Sequence, residues 1–150
     1  MTEEEQEHIF ESWLREHKAL IFKVVRAYAF TAIDRDDLFQ EITIQVWNSI
    51  PAFRQESSVT TWMYRIGLNT AIKWIRKERK HSNTETPENI QQILQESAHQ
   101  PDERLTWLYE EIYRLDEIDR SLTLLMLDNF SYKEMSTILG ISESNVGVKI

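Results

Sequence analysis

No cysteine occurs in the 150 residues, which excludes a disulfide framework and thiolate chemistry and fits a reducing cytoplasm. Glycine and proline number three each, too few for a meander of strands and tight turns. No apolar run approaches the ~18 residues of a membrane span, so no membrane insertion is expected. The N-terminus, MTEEEQEHIF, is acidic and amphipathic rather than a secretory signal. A glycine-rich phosphate loop and a nucleophile motif are both missing. His8, His17, His81 and His99 lie too far apart in sequence for ligand spacing. These absences predict a non-enzyme with no metal and no cofactor. Cations are also scarce: 17 Lys and Arg face 25 Asp and Glu, a formal charge of −8. That balance argues against a surface that is basic all over.

The charge that is present lies unevenly. Residues 1–60 hold 6 cations against 11 anions, and residues 81–128 hold 3 against 11. Residues 61–80 reverse the sign, with 6 cations against Glu78 alone. Two acidic stretches therefore flank one basic segment, and their surfaces suit a basic partner.

Apolar periodicity predicts an all-α fold. Ile9, Phe10, Trp13 and Leu14, then Leu20, Ile21, Val24, Val25 and Tyr28, give a helix over about 5–31 with a break near His17–Lys18. TAIDRDDLFQEITIQVWNSIP predicts a second helix, capped by Asp34, ended by Pro51 and buried along Leu38, Ile42, Val46 and Ile50. Asp37, Gln40, Glu41, Ile44 and Gln45 stay outside, a polar face with one apolar member, as a protein-docking surface would have. Thr60 or Thr61 is the expected cap of a third helix, about 61–80, with Tyr64, Leu68, Ala71 and Ile75 on its core face. Arg65, Asn69, Lys73, Arg76 and Lys80 share another arc, and Trp62 and Ile66 begin the helix on that basic side. A solvated outer face is the ordinary role of such cations, and core packing that of a tryptophan. Cations for phosphates, an indole for stacking and an amide for a base edge together favour single-stranded or melted nucleic acid.

Residues 81–101 are polar, bounded near their ends by Pro87 and Pro101, and read as a linker between two domains, 1–80 and 102–150. Two helices are expected at about 102–115 and 117–128. The closing SYKEMSTILGISESNVGVKI has Ser131 before a short helix, Gly140 at a left-handed turn and Ser142 opening another helix. Met135, Ile138, Ile141 and Val146 would form its core, with Val146 and Ile150 turned inward. This is helix-turn-helix grammar, and Ser142, Ser144, Asn145 and Lys149 would face the DNA major groove. An ordinary helical hairpin is the plainer alternative. After Ser142 only eight residues follow, so the second domain is expected to be truncated at its C-terminus and to bind duplex poorly.

The segments DRDDLFQEITIQVW, PAFRQESSVTTWMYRIGLNTAIKWIRK and SYKEMSTILGISESNVGVKI, in that order, resemble bacterial RNA polymerase sigma factors of the extracytoplasmic-function type. The resemblance spans about residues 6–80 and 102–150. It implies two small helical domains joined by a polar linker, and core RNA polymerase and promoter DNA as partners. In such proteins the acidic helix docks on the β′ clamp helices, which would give that role to Asp37, Gln40, Glu41 and Ile44. The second segment would take the melted −10 element. Ser57 and Ser58 would line the base-capturing loop, and Trp62, Arg65, Asn69, Lys73, Arg76, Lys77 and Lys80 would hold the strand. The second domain would read the −35 duplex, and the β subunit and an anti-sigma factor are further expected partners. Larger relatives melt DNA with a tryptophan pair. Here Met63 follows Trp62, which implies a weaker wedge.

Two other readings compete. One is a stand-alone helix-turn-helix regulator whose first domain senses or dimerises. The other is a helical interaction module that binds no DNA.

Overall fold

A computed structural model describes residues 1–81 and 103–150. All its regular elements are helical. They are α1 (Glu3–Tyr28), α2 (Ala32–Ser49), a 3-10 turn (Ile50–Ala52), α3 (Val59–His81), α4 (Glu103–Tyr113), α5 (Glu117–Leu127), α6 (Tyr132–Leu139) and α7 (Glu143–Lys149). The expected linker, 81–101, lies almost wholly outside the described residues, as does Arg79's and Lys80's side-chain placement within α3.

The first three helices form an N-terminal unit in which each packs on the other two. Their stripes are those expected. Leu38, Ile42, Val46 and Ile50 from α2 and Tyr64, Leu68, Ala71 and Ile75 from α3 are buried against Leu20, Ile21, Val24 and Val25 of α1. Burying a side chain of this size contributes about 1.5–3 kcal/mol. The break in α1 falls at His17, whose φ of −123° and ψ of 15° leave the helical region. N-terminal to that kink, the helix is tied to the end of α2. Gln6 Nε2 donates to the Trp47 carbonyl at 2.7 Å, and Phe10 meets Trp47 edge-on at 5.3 Å.

Two caps differ from expectation. Thr31, not Asp34, caps α2, accepting the Asp34 amide at 3.0 Å. Ser58 precedes α3 and accepts the Thr61 amide at 3.1 Å, while its carbonyl accepts from Trp62. In both stretches several polar residues compete, and at α2 the one that wins, Thr31, has extended backbone, with φ −88° and ψ 158°.

The C-terminal unit is built from short helices with well-made ends. Asp116 caps α5, Ser131 and Glu134 form a reciprocal capping box on α6, and Ser142 caps α7. Gly140 ends α6 at φ 71°, the left-handed conformation that a side chain resists. Met135, Ile138 and Val146 are buried as expected, and Ile141 is half-buried. Ile150 is not inward-facing: it is 47% exposed. It caps α7 rather than belonging to it, so the four-residue spacing from Val146 no longer fixes its direction. The two units pack together, with α4 and α5 against α1 and α6 against α3.

Candidate polymerase and nucleic-acid interface

The solvent side of α2 and the basic side of α3 are not separate surfaces. They are the two walls of one groove of about 670 Å³. Asp37, Gln40, Glu41 and Ile44 line it from α2, and Asn69, Lys73 and Lys77 line it from α3. All seven are exposed, Ile44 by 51%. The α2 wall is thus acidic with one apolar residue, and the facing wall carries cations and an amide. A groove with opposite charges on its walls presents each charge to a different partner more readily than a uniform surface would.

Between the walls runs a set of which sequence reasoning named only Ile66, on the basic side, and left out Thr70 and Trp74. Ile66, Thr70 and Trp74 fall at four-residue spacing along α3 and form the floor with Asn48 and Ser49 of α2. The Thr70 hydroxyl donates to the Ile66 carbonyl at 2.7 Å, which removes its polarity from the floor. That spacing was the available signal. It marks a face of α3 distinct from the core stripe and bordering the cation arc.

Other predicted residues sit apart from the groove. Arg65 is exposed on α3 outside it. Trp62 is half-buried and pinned: its indole N–H donates to Ser49 Oγ at 3.1 Å, and its ring lies 5.3 Å from Phe53, which in turn meets Trp13 edge-on. Met63 is fully buried, so the residue after Trp62 packs in the core. Ser58 is exposed and serves as the cap of α3, and Ser57 is half-buried, its hydroxyl reaching the Ser58 carbonyl at 3.3 Å. Their loop holds Gln55 at φ 60°, an uncommon conformation for a residue other than glycine.

Arg76 faces the other unit. Its Nε donates to Glu117 Oε2 at 2.7 Å, joining α3 to the start of α5. In the last helix, Ser142, Ser144, Asn145 and Lys149 are all exposed. Ser142 Oγ accepts the Asn145 amide at 3.1 Å as a cap, and the four residues crowd one short helix of the helix-turn-helix. No cluster of His, Cys, Asp or Glu that could hold a metal occurs among the described residues. No described helix is long and apolar enough to cross a membrane.

This arrangement has relatives. The family model for sigma-70 region 2 matches residues 13–81, the unit that carries the groove. The RNA polymerase sigma factor YlaC of Bacillus subtilis is 31% identical, over 76% of this chain and 69% of its own length. The ECF RNA polymerase sigma factor SigM of the same organism is 32% identical over 73% of this chain and 69% of its own. The chain belongs to the extracytoplasmic-function RNA polymerase sigma factors. As a sigma factor it acts in transcription initiation with RNA polymerase, and the relatives it resembles are not enzymes. Two solved structures share the fold across both units. CnrH, solved with the cytosolic domain of CnrY, gives a TM-score of 0.66 at 19% identity, covering 96% of this chain and 81% of that one. The sigma factor RpoE of Bartonella quintana, solved with the anti-sigma factor NepR, gives 0.71 at 16% identity, covering 94% and 89%. The expected two-domain helical architecture is that of the family.

Proposed function

We propose that this sigma factor binds core polymerase and melted −10 DNA through the two walls of the α2–α3 groove. The single observation that carries this reading is the meeting of opposite charges there. Asp37 and Glu41 lie on one wall, and Lys73 and Lys77 on the other. On the α2 wall, Asp37, Gln40 and Glu41 surround the half-exposed Ile44, and this set docks on the β′ clamp helices. On the α3 wall, Lys73 and Lys77 neutralise phosphates while Asn69 reads an unstacked base. Arg65 and Arg76 extend the cationic track, Lys80 adds its charge to the same helix in sequence, and the loop with Ser57 and Ser58 receives the flipped base beside the pinned Trp62. The unit 1–80 does this work. The unit 102–150 reads the −35 duplex through Ser142, Ser144, Asn145 and Lys149 and contacts the β subunit. Because RpoE of Bartonella quintana was solved with an anti-sigma factor, an anti-sigma factor is the regulatory partner we assign, and the whole cycle runs in the cytoplasm.

Run-off transcription with purified core polymerase tests the reading. Glu41→Lys should abolish β′ capture and run-off product while leaving the helical fold intact. Asn69→Ala should change which −10 base is preferred, whereas Lys73→Ala should weaken all sequences alike and flatten the salt dependence by about 0.7 on the log–log slope. A Glu41→Lys variant that captures β′ as well as the parent refutes the docking wall. Equal losses on every sequence for Asn69→Ala refute base reading.

A further inference from the structure

We propose that a second cavity, between α1 and α2, binds a small organic anion: a flat apolar group that carries one carboxylate or phosphate. The cavity measures about 390 Å³, and none of its lining residues lines the α2–α3 groove. Its base is aromatic. Phe22 of α1 stacks on Phe39 of α2, with ring centroids 5.1 Å apart and planes 20° from parallel, yet Phe22 remains 50% exposed. A half-exposed ring held flat by a second ring is a ready surface for another flat group. Val25, itself buried, adds an aliphatic wall.

Three cations surround this base. Lys18 Nζ stands 5.6 Å over the Phe22 ring, and Arg26 and Arg35 complete the rim, with Asp36 as the one acid. Both arginines are held without being neutralised. Arg26 donates through Nη2 to Thr106 Oγ1 at 3.4 Å and lies 4.5 Å from the Tyr109 ring. Arg35 donates through Nε to the Ala29 carbonyl at 3.1 Å. Among the described residues no carboxylate forms an ion pair with Lys18, Arg26 or Arg35. Glu110, which lines a smaller cavity with the two arginines, is no exception. Burial, and after it the charge of Arg26, hold Arg35 below its ordinary value. Two half-buried like charges repel one another, and an anion at the rim relieves both. A guanidinium has five donors, so most of each fork is left to grip a pair of oxygens.

These surroundings select the ligand. The volume falls near the lower end of the about 300–1,000 Å³ of ligand pockets, which suits a small molecule. No residue of α3 lines the cavity, so its cations do not prolong the α3 track along which a nucleic-acid strand would lie. Three cations against Asp36 leave a formal surplus of positive charge that one carboxylate or phosphate offsets. A neutral apolar ligand would leave the arginines uncompensated, and an anion without a ring would leave Phe22 facing water. Only a molecule with both parts satisfies both halves of the site.

Heteronuclear NMR of the full chain tests the site, with phenylpropionate and phenyl phosphate as the probes. At least one should shift the backbone amides of Lys18–Arg26 and Arg35–Phe39 saturably, and the tighter of the two identifies the anionic group. Phenylpropionamide keeps the ring without the charge, and propionate keeps the charge without the ring. Each should bind at least about tenfold more weakly than the aromatic anion. Arg35→Gln should weaken the aromatic anion about tenfold, and Lys18→Gln, a change at an exposed position, several-fold. Phe22→Ser should bring phenylpropionate down to the level of propionate. Lys133→Gln, which removes an exposed cation on α6, should change nothing. If Arg35→Gln loses its amide dispersion, Lys18→Gln and Phe22→Ser decide in its place. The proposal is overturned if neither aromatic anion shifts these amides saturably. It is equally overturned if phenylpropionamide or propionate binds as tightly as the aromatic anion, or if the Lys18 and Phe22 variants bind it like the parent. The assay uses neither polymerase nor promoter, so its failure is separable from a failure of the function proposed above.

Discussion

Helices α1, α2 and α3 run for 26, 18 and 23 residues, whereas α4 to α7 run for 11, 11, 8 and 7. The long helices present unbroken stripes to one another, and most of the fully buried side chains belong to them. In the helix-turn-helix, α6 and α7 bury only Met135, Ile138 and Val146. Helices that short are marginal in water without support. Each starts at a side-chain cap, as the long helices also do, and a left-handed glycine lies between them. The first unit is held chiefly by packing along its length, and the last two helices depend far more on their ends.

The sharpest way to break that comparison is in the first core. Ile42 is fully buried between α1 and α3, and Ile42→Ala should cost about 2–5 kcal/mol in urea unfolding. A loss below about 1 kcal/mol would mean that packing is not what holds this unit.

Gly140 tests the other side. Nothing lies within 4 Å of a Cβ built there, yet its φ is 71°. Gly140→Ala should therefore lose about 1–2 kcal/mol from backbone conformation alone, with no clash to relieve. An unaffected melting midpoint would show that the turn can be re-formed with ordinary dihedrals. One step smaller, Ser131→Ala removes the hydroxyl that accepts the Glu134 amide at 3.1 Å and should cost about 1 kcal/mol. A loss as large as that of Ile42→Ala would erase the distinction between the two units in the opposite sense.

These features differ in how far the sequence exposed them. The stripes of α2 and α3, the break at His17 and the turn at Gly140 were legible, because each rests on local spacing or on one residue's backbone preference. The caps of α2 and α3 were not. Thr31 and Asp34, or Ser58 and Thr60, are chemically alike, and the choice depends on where tertiary packing starts the helix. Met63 has the same ambiguity, since a helix between two neighbours buries more than one stripe. The shared groove was half legible: both walls could be read singly, but their facing depends on the crossing of α2 and α3. The partner of Arg76 could not be read at all, because Glu117 lies 41 residues away, beyond the segment 82–102.

The smallest effect should be a gain. Gly67 is buried in α3 where it crosses α1 and α2, a place where glycine often signals close helix approach. Here the approach does not require it. Its φ is not in the left-handed region, and an added Cβ would meet Val24 Cγ2 at 3.8 Å and Ile42 Cγ2 at 3.9 Å. Those are ordinary van der Waals distances, so a methyl group fills space rather than forcing it. Alanine also removes unfolded-state freedom that glycine must lose in a helix interior. Gly67→Ala should therefore raise stability by about 0.5–1 kcal/mol, a small rise in the urea midpoint. The same variant sharpens the comparison of the two glycines. One methyl group should stabilise at 67 and destabilise at 140, because at 67 only space is at issue and at 140 only backbone conformation. If Gly67→Ala destabilises, α1, α2 and α3 meet more tightly than these distances allow, and packing rather than backbone governs that site.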